Sequence, residues 1–72
     1  MVKIKTDRFK LSQLRINQGM QGTDLARKAG VTKQNIYAIE KGRTNPTPAL
    51  AKKLAEIFGV PFDNIFTLVE GD

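Results

Sequence analysis

The sequence predicts an all-α fold, a compact bundle of five short helices that forms one domain over residues 1–72. Two observations predict this class. Apolar side chains recur at helical intervals of three and four residues, and these segments are separated by glycines that can end a helix. Because 72 residues can build only one core, we expect that core in residues 6–66, with the termini 1–5 and 67–72 peripheral.

The first two helices each show a buried stripe followed by a stop signal. Thr6 can cap the first helix, which is predicted to run to about Gln18 and to end at Gly19. The second helix is predicted to end at Ala29 or Gly30. The stripes that define them consist of Leu11 and Leu14 in the first helix and of Leu25, Ala26 and Ala29 in the second.

A tight glycine turn leads from the second helix into a third. Thr32 is a favourable N-cap, so this helix is expected to begin at Lys33. Ile36 and Ile39 lie three residues apart and face inward, and Gly42 provides the stop. The remaining positions of this helix are therefore expected to face outward.

A fourth helix is predicted to begin after Thr47, at Pro48. The first amide of a helix has no partner within the helix, so a proline, which lacks the amide hydrogen, is tolerated there. Its apolar stripe consists of Leu50, Ala51, Leu54, Ala55 and Phe58. Gly59 ends it. Pro61 is expected to open a short fifth helix that holds Phe62, Ile65 and Phe66.

The two ends of the chain leave an alternative open. Val2 and Ile4 alternate with lysines, and residues 67–69 favour β-structure. The termini could therefore pair as a small two-stranded ribbon, or they could stay irregular beside the helices.

The composition excludes several classes of protein. The chain has no cysteine and no histidine, which removes disulfides, most zinc sites and the commonest catalytic base. We therefore expect no enzymatic activity, no metal, no cofactor and no small-molecule ligand. The apolar runs are short and charges interrupt the N-terminal segment, so neither a membrane span nor a signal peptide is predicted, and we expect a cytoplasmic protein.

The charges are distributed unevenly along the chain. Residues 1–53 contain all 12 lysines and arginines against three carboxylates, a net charge of +9, whereas residues 54–72 contain four carboxylates and no cation, a net charge of −4. A basic region of this kind is typical of proteins that bind a polyanion. The acidic end is expected to face away from that partner.

The outer face of the third helix carries groups that recognise DNA bases. Glutamine pairs with adenine, lysine pairs with guanine, and an alanine methyl can contact the methyl of thymine. The expected base contacts are Lys33, Gln34, Tyr37 and Ala38. For Tyr37 three roles stay open: a hydroxyl contact with phosphate, a ring contact with thymine, or packing against neighbouring side chains. Taken singly, Gln34 and Asn35 fit a solvated helix surface better, and it is the pattern of two short helices joined by a glycine turn that favours base contact.

The segment after the third helix, residues 41–46, is expected to lie along the sugar–phosphate backbone. Phosphate contacts fix register and affinity but carry no sequence information. The expected donors in and near this segment are Asn35, Lys41, Arg43, Thr44 and Asn45. The alternative is a turn that only joins two helices, and the loss of Arg43 would distinguish the two.

Three stretches of the chain match blocks of a known family. Between Leu11 and Phe66 they read LSQLRINQG, DLARKAGVTKQNIYAIEKGRTNP and LAKKLAEIFGVPFDNIF. From Leu11 to Phe66, about three quarters of the chain, the sequence resembles the Xre/Cro-like helix-turn-helix family, which includes the lambdoid phage repressors. The resemblance implies four or five short helices, of which the third enters the major groove of double-stranded DNA.

The resemblance also implies roles for particular residues. Arg15 and Glu40 occupy positions that form a half-buried ion pair in those repressors. The second helix of the family usually starts with serine and glutamine, whereas this chain has Gln21 and Gly22 there. Glycine would leave the amides of Gly22 and Thr23 open to a phosphate oxygen. Alternatively, Thr23 is the cap and the helix starts later.

A single recognition helix contacts too few base pairs to specify a unique site in a genome. We therefore expect a homodimer, and the resemblance implies two half-sites roughly 34 Å apart on a palindrome. In the apolar cluster near the acidic end, Phe62 and Ile65 are expected to complete the monomer core. The expected dimer interface consists of Phe66, Leu68 and Val69.

These expectations predict a sequence-specific DNA-binding transcriptional regulator, more specifically a repressor that occupies an operator. Activation stays open, because it depends on where the site lies relative to a promoter. The alternative from another class is an antitoxin-like protein-interaction module whose DNA binding is secondary. The sequence specifies neither the operator nor an effector.

Overall fold

The computed structural model describes residues 1–71, which form four α-helices and a two-stranded antiparallel sheet. In chain order the elements are β1 (Val2–Thr6), α1 (Arg8–Asn17), α2 (Gly22–Ala29), α3 (Lys33–Glu40), α4 (Pro48–Phe58), a single 3-10 turn (Phe62–Asn64) and β2 (Phe66–Glu70). The helices α1 to α4 confirm the helical prediction. The all-α class and the fifth helix were wrong. Among residues 1–71, no helix has the length and apolarity needed to cross a membrane.

Side-chain oxygens fix where three of the helices begin. Each accepts the backbone amide three residues further on, at distances of 3.1 to 3.3 Å; they belong to Asp7, Thr32 and Thr47. Thr32 and Thr47 are the caps that the sequence predicted. For α1 the predicted cap, Thr6, was wrong, because Thr6 is the last residue of β1 and Asp7 takes the capping position.

The two termini pair as the ribbon that the sequence left open. Val2 lies opposite Glu70 and Thr6 opposite Phe66 in a continuous antiparallel register. The predicted fifth helix is reduced to its first turn, since Phe66 already belongs to the strand. The pairing joins the lysines of β1 to the C-terminal strand, so the basic and acidic parts of the sequence are not fully separated in space.

One hydrophobic core lies between the four helices and the base of the ribbon. Its largest fully buried side chains are Phe66, Leu11, Leu25, Ile36, Ile39, Leu54 and Ile65. Phe66 is only 1% exposed and packs beside Phe62, with ring centroids 5.2 Å apart. The assignment of Phe66 to a dimer interface was therefore wrong, because a side chain buried in its own core cannot contact a second copy. Leu68 and Val69 remain exposed.

Candidate nucleic-acid interface

A short turn sets the position of α3 against α2. Gly30 adopts φ +74° at the end of α2, and the amide of Val31 donates to the carbonyl of Ala26 at 3.0 Å. Thr32 then caps α3 at once. Ile36 and Ile39 on the inner side of α3 are completely buried. The opposite side of α3 therefore faces away from the core.

The four residues expected to contact bases lie on this outer side. Their spacing places them in two adjoining rows on one side, because positions i and i+4 are neighbours on a helix, as are positions i+1 and i+5. Lys33 and Gln34 are exposed in the first turn, and Ala38 is half-buried. Asn35, an expected phosphate contact, is also half-buried.

The side chain of Tyr37 extends from α3 to the start of α2. A Cβ atom built on Gly22 would lie 2.5 Å from Tyr37 Cζ and 2.6 Å from its hydroxyl oxygen, so the ring occupies the space that a side chain at position 22 would need. Tyr37 is 39% exposed, whereas Gly22 is buried. Of the three roles considered for Tyr37, the structure shows packing against a neighbour, and that neighbour is the backbone at Gly22.

This contact changes the expectation for the start of α2. Gly22 was expected to leave its amide open to a phosphate oxygen, and in the structure the residue is buried with the Tyr37 ring packed against it. The amide of Asp24 donates to the carbonyl of Gln21, and the Asp24 carboxylate accepts the Gln21 amide at 2.8 Å. Gln21 is the N-cap, so the alternative of a later start at Thr23 was wrong. Thr23 itself is half-buried.

A polar stripe on α1 holds the C-terminal end of α3. Arg15 donates through Nε to Glu40 Oε2 at 2.8 Å and through Nη2 to Glu40 Oε1 at 3.0 Å. Ser12 donates to Glu40 Oε1 at 2.9 Å, and Arg8 Nη1 donates to the carbonyl of Lys41 at 2.9 Å. These contacts fix α3 along its axis relative to α1.

The ion pair between Arg15 and Glu40 lies in a largely buried position, with the two side chains 14% and 8% exposed. The hydrogen bond to Glu40 raises the pKa of Arg15 above its ordinary value, although burial acts in the opposite direction. Arg15 also donates through Nη1 to the carbonyl of Met20 at 2.9 Å. The guanidinium therefore joins α1, the segment before α2, and α3.

The α3–α4 loop, residues 41–47, presents most of the expected phosphate donors. Lys41, Arg43, Thr44 and Asn45 are all exposed. Pro46 is buried and anchors the far end of the loop, and Thr6 Oγ1 donates to Asn45 Oδ1 at 3.3 Å. The loop is therefore exposed along its length and attached to the molecule near both ends.

Sequence reasoning missed three of these contacts, those made by Thr6, Arg8 and Ser12. For Arg8 and Ser12 a signal existed, because with Arg15 they are spaced four and three residues apart and so share one face of α1. That polar face lies beside the apolar one, and no contact was predicted for Arg8 or Ser12. Thr6 gave no such signal, since its partner Asn45 is 39 residues away in the chain.

Comparison with known proteins agrees with this geometry. A family model described as Helix-turn-helix matches residues 11–65. The chain belongs to the Xre/Cro-like helix-turn-helix family. The match covers α1 from Leu11, all of α2, α3 and α4, and the 3-10 turn. Both strands and Arg8 lie outside the residues that match the family model.

Individual relatives come from archaea and bacteria. The chain is 46% identical over 57 residues to an uncharacterized HTH-type transcriptional regulator of Methanocaldococcus jannaschii, covering 79% of this chain and 86% of the relative. It is 36% identical over 59 residues to one of Archaeoglobus fulgidus, covering 82% and 84%. It is also 36% identical over 61 residues to YgzD of Bacillus subtilis, covering 85% and 92%. These helix-turn-helix relatives are all named as transcriptional regulators.

Proposed function

We propose that this chain is a transcriptional regulator that binds double-stranded DNA at a specific sequence through α3. One observation carries the proposal: α3 buries its two isoleucines completely and exposes Lys33 and Gln34 in its first turn, within a helix-turn-helix chain. An exposed helix of this polarity fits the major groove, where amide and amine groups distinguish base pairs. The names of the relatives support the same class of function.

In this proposal the first turn of α3 reads the bases. Gln34 is suited to adenine and Lys33 to guanine, and the methyl of Ala38 lies one turn further on for a thymine methyl. Tyr37 contributes through the part of its side chain that is exposed beside Gly22. Sequence preference is therefore expected to depend mainly on Gln34 and Lys33.

Contacts with phosphates supply most of the affinity. The α3–α4 loop offers two cations and two neutral donors, and the exposed side chain of Arg43 is suited to a charged contact. Thr23 and Asn35 are half-buried and offer further donors. Gly22 is not proposed as a phosphate contact, because the Tyr37 ring packs against it.

The regulator is proposed to act as a homodimer on a palindromic operator and to repress by occupying it. One α3 helix covers only a few base pairs, so two copies are needed for useful specificity. Leu68 and Val69, 61% and 37% exposed on β2, are the proposed interface residues. Both are exposed apolar side chains, as are Val2, Phe9 and Ile16, and exposed apolar surface of this kind supports an interface.

Selection of bound duplexes from a randomised pool tests the proposal. The expected result is one preferred motif that forms an inverted repeat, with half-site centres about one helical turn apart. Gln34→Ala should change the preference at one position of each half-site, by about 1–3 kcal/mol of discrimination. Gln13→Ala, which removes an exposed glutamine from α1, is the matched control and should leave the motif unchanged.

Two results would contradict the proposal. Equal binding of all duplexes would show that the chain recognises DNA without reading its sequence. A motif that is unchanged in the Gln34→Ala variant would show that α3 does not read it through its first turn.

A further inference from the structure

The side chain of Arg8 packs against the turn that begins the α3–α4 loop. Its Nη1 atom donates to the carbonyl of Lys41, the C-cap residue of α3, at 2.9 Å. Gly42 follows with φ +77°, and a Cβ atom there would lie 2.8 Å from Arg8 Nη1 and 2.9 Å from its Cδ. The side chain therefore lies directly against the backbone of this glycine. A cation at this place also complements the partial negative charge of the α3 C-terminus.

The preceding residues hold the other end of the same loop. Thr6 is only 9% exposed, and its hydroxyl donates to Asn45 Oδ1 at 3.3 Å. The amide of Asp7 donates to the carbonyl of Ile65 at 2.7 Å, which ties the junction between β1 and α1 to the base of β2. The two attachment points leave Arg43 and Thr44 exposed between them.

We propose that Arg8 is a positioning residue for DNA binding: together with Thr6 it holds the α3–α4 loop in the shape that presents Lys41 and Arg43 to the phosphates. This inference rests on the proposed function. It assigns a role to the junction between β1 and α1, which lies outside the residues that match the family. An ordered loop binds more tightly because less conformational freedom is lost when the complex forms.

The backbone hydrogen bonds at the turn give a measure of loop order that needs no DNA. The amide of Gly42 donates to the carbonyl of Ile39 at 3.1 Å, and the amide of Arg43 donates to the carbonyl of Ala38 at 2.9 Å. If Arg8 holds this turn closed, replacing it should speed hydrogen exchange at both amides.

The test compares Arg8→Ala with Arg43→Ala, and with Lys52→Ala as a control that removes an exposed cation from α4. Affinity is measured for a selected duplex and an unrelated duplex over a range of salt concentrations. Arg8→Ala should weaken binding to both duplexes about fivefold, as expected for the loss of one hydrogen bond to a carbonyl, without changing the salt slope. Arg43→Ala should lower the salt slope by about one unit, because it removes a phosphate contact. Lys52→Ala should leave affinity and exchange unchanged.

Each of three outcomes would overturn the inference about Arg8. One is that the wild-type chain binds DNA and the Arg8→Ala variant binds it with the same affinity. Another is a fall in salt slope equal to that of Arg43→Ala, which would make Arg8 a phosphate contact itself. The third is weaker binding without faster exchange at Gly42 and Arg43. Failure of the wild-type chain to bind any duplex would instead contradict the proposed function.

Discussion

Glu40 accepts three hydrogen bonds, one from Ser12 and two from Arg15. Removing two charges from water opposes their attraction, so a largely buried pair of this kind adds little net stability compared with well-packed apolar residues. Loss of one partner alone is different, because the other charge is then left buried without compensation. The pair therefore serves mainly to fix where α1 and α3 meet.

The raised pKa of Arg15 has a simple consequence for pH dependence. A cation whose pKa is higher in the folded state contributes stability below its unfolded pKa and loses it only as pH rises through the folded pKa. The ordinary pKa of arginine is already far above neutral. Arg15 therefore stays charged over the whole range in which DNA binding would be measured.

Gly22 and Tyr37 are predicted to be energetically coupled. Gly22→Ala should destabilise the chain by about 1 kcal/mol, because the new methyl displaces the Tyr37 ring. In a Tyr37→Ala background the same change should stabilise by about 0.5 kcal/mol, because alanine is the better helix residue and the backbone at Gly22 does not need positive φ. Urea unfolding of the wild-type chain, the two single variants and the double variant measures both effects. Equal effects of Gly22→Ala in the two backgrounds would contradict the contact.

At the scale of secondary structure, the helix ends follow from residues close together in the chain. Thr32 and Thr47 cap α3 and α4 as predicted, and each accepts an amide only three residues away. The prediction for α1 was wrong by one position, since both Thr6 and Asp7 are able to cap. Pairing of Thr6 with Phe66 in the ribbon decides between them.

The cap of α3 should affect DNA recognition and stability together. Thr32→Ala is expected to lower the free energy of unfolding by about 1 kcal/mol and to reduce discrimination between a selected and an unrelated duplex, because the frayed first turn carries Lys33 and Gln34. Thr47→Ala removes the same kind of cap from α4 and should cost similar stability without loss of discrimination. Unfolding and competition binding measure the two quantities. Equal discrimination in both variants would contradict a special role for the first turn of α3.

At the scale of the whole molecule, the pairing of the termini determines which apolar residues of β2 are exposed. Phe66 begins β2 beside Thr6 and is drawn into the core, whereas Leu68 and Val69, further along the same strand, are exposed. The two ends, one basic and one acidic in sequence, therefore form a single ribbon. The charge asymmetry of the sequence is therefore only partly preserved in space, because β1, with Lys3 and Lys5, pairs with the strand that carries Glu70.

Replacement of Phe66 by alanine and replacement of Leu68 by alanine should have very different effects on stability and self-association. Phe66→Ala should lower the free energy of unfolding by about 3–5 kcal/mol, because it leaves a cavity in a small core. Leu68→Ala should change monomer stability by less than about 0.5 kcal/mol but weaken self-association. Unfolding at low concentration and sedimentation equilibrium at micromolar concentration measure the two effects. A wild-type chain that sediments only as a monomer would contradict the proposed dimer.

The sequence by itself determined the four helices, the N-caps of two of them, the inward isoleucines of α3 and its polar outer face. These features depend on residues within one or two helical turns of each other, so spacing and residue type are sufficient. Only the tertiary structure decided the ribbon, the burial of Phe66, the packing of the Tyr37 ring on Gly22 and the hydrogen bond from Arg8 to the carbonyl of Lys41. The partners in these contacts lie from 15 residues apart to nearly the whole chain length, and no local pattern specifies which distant surfaces meet when the core closes.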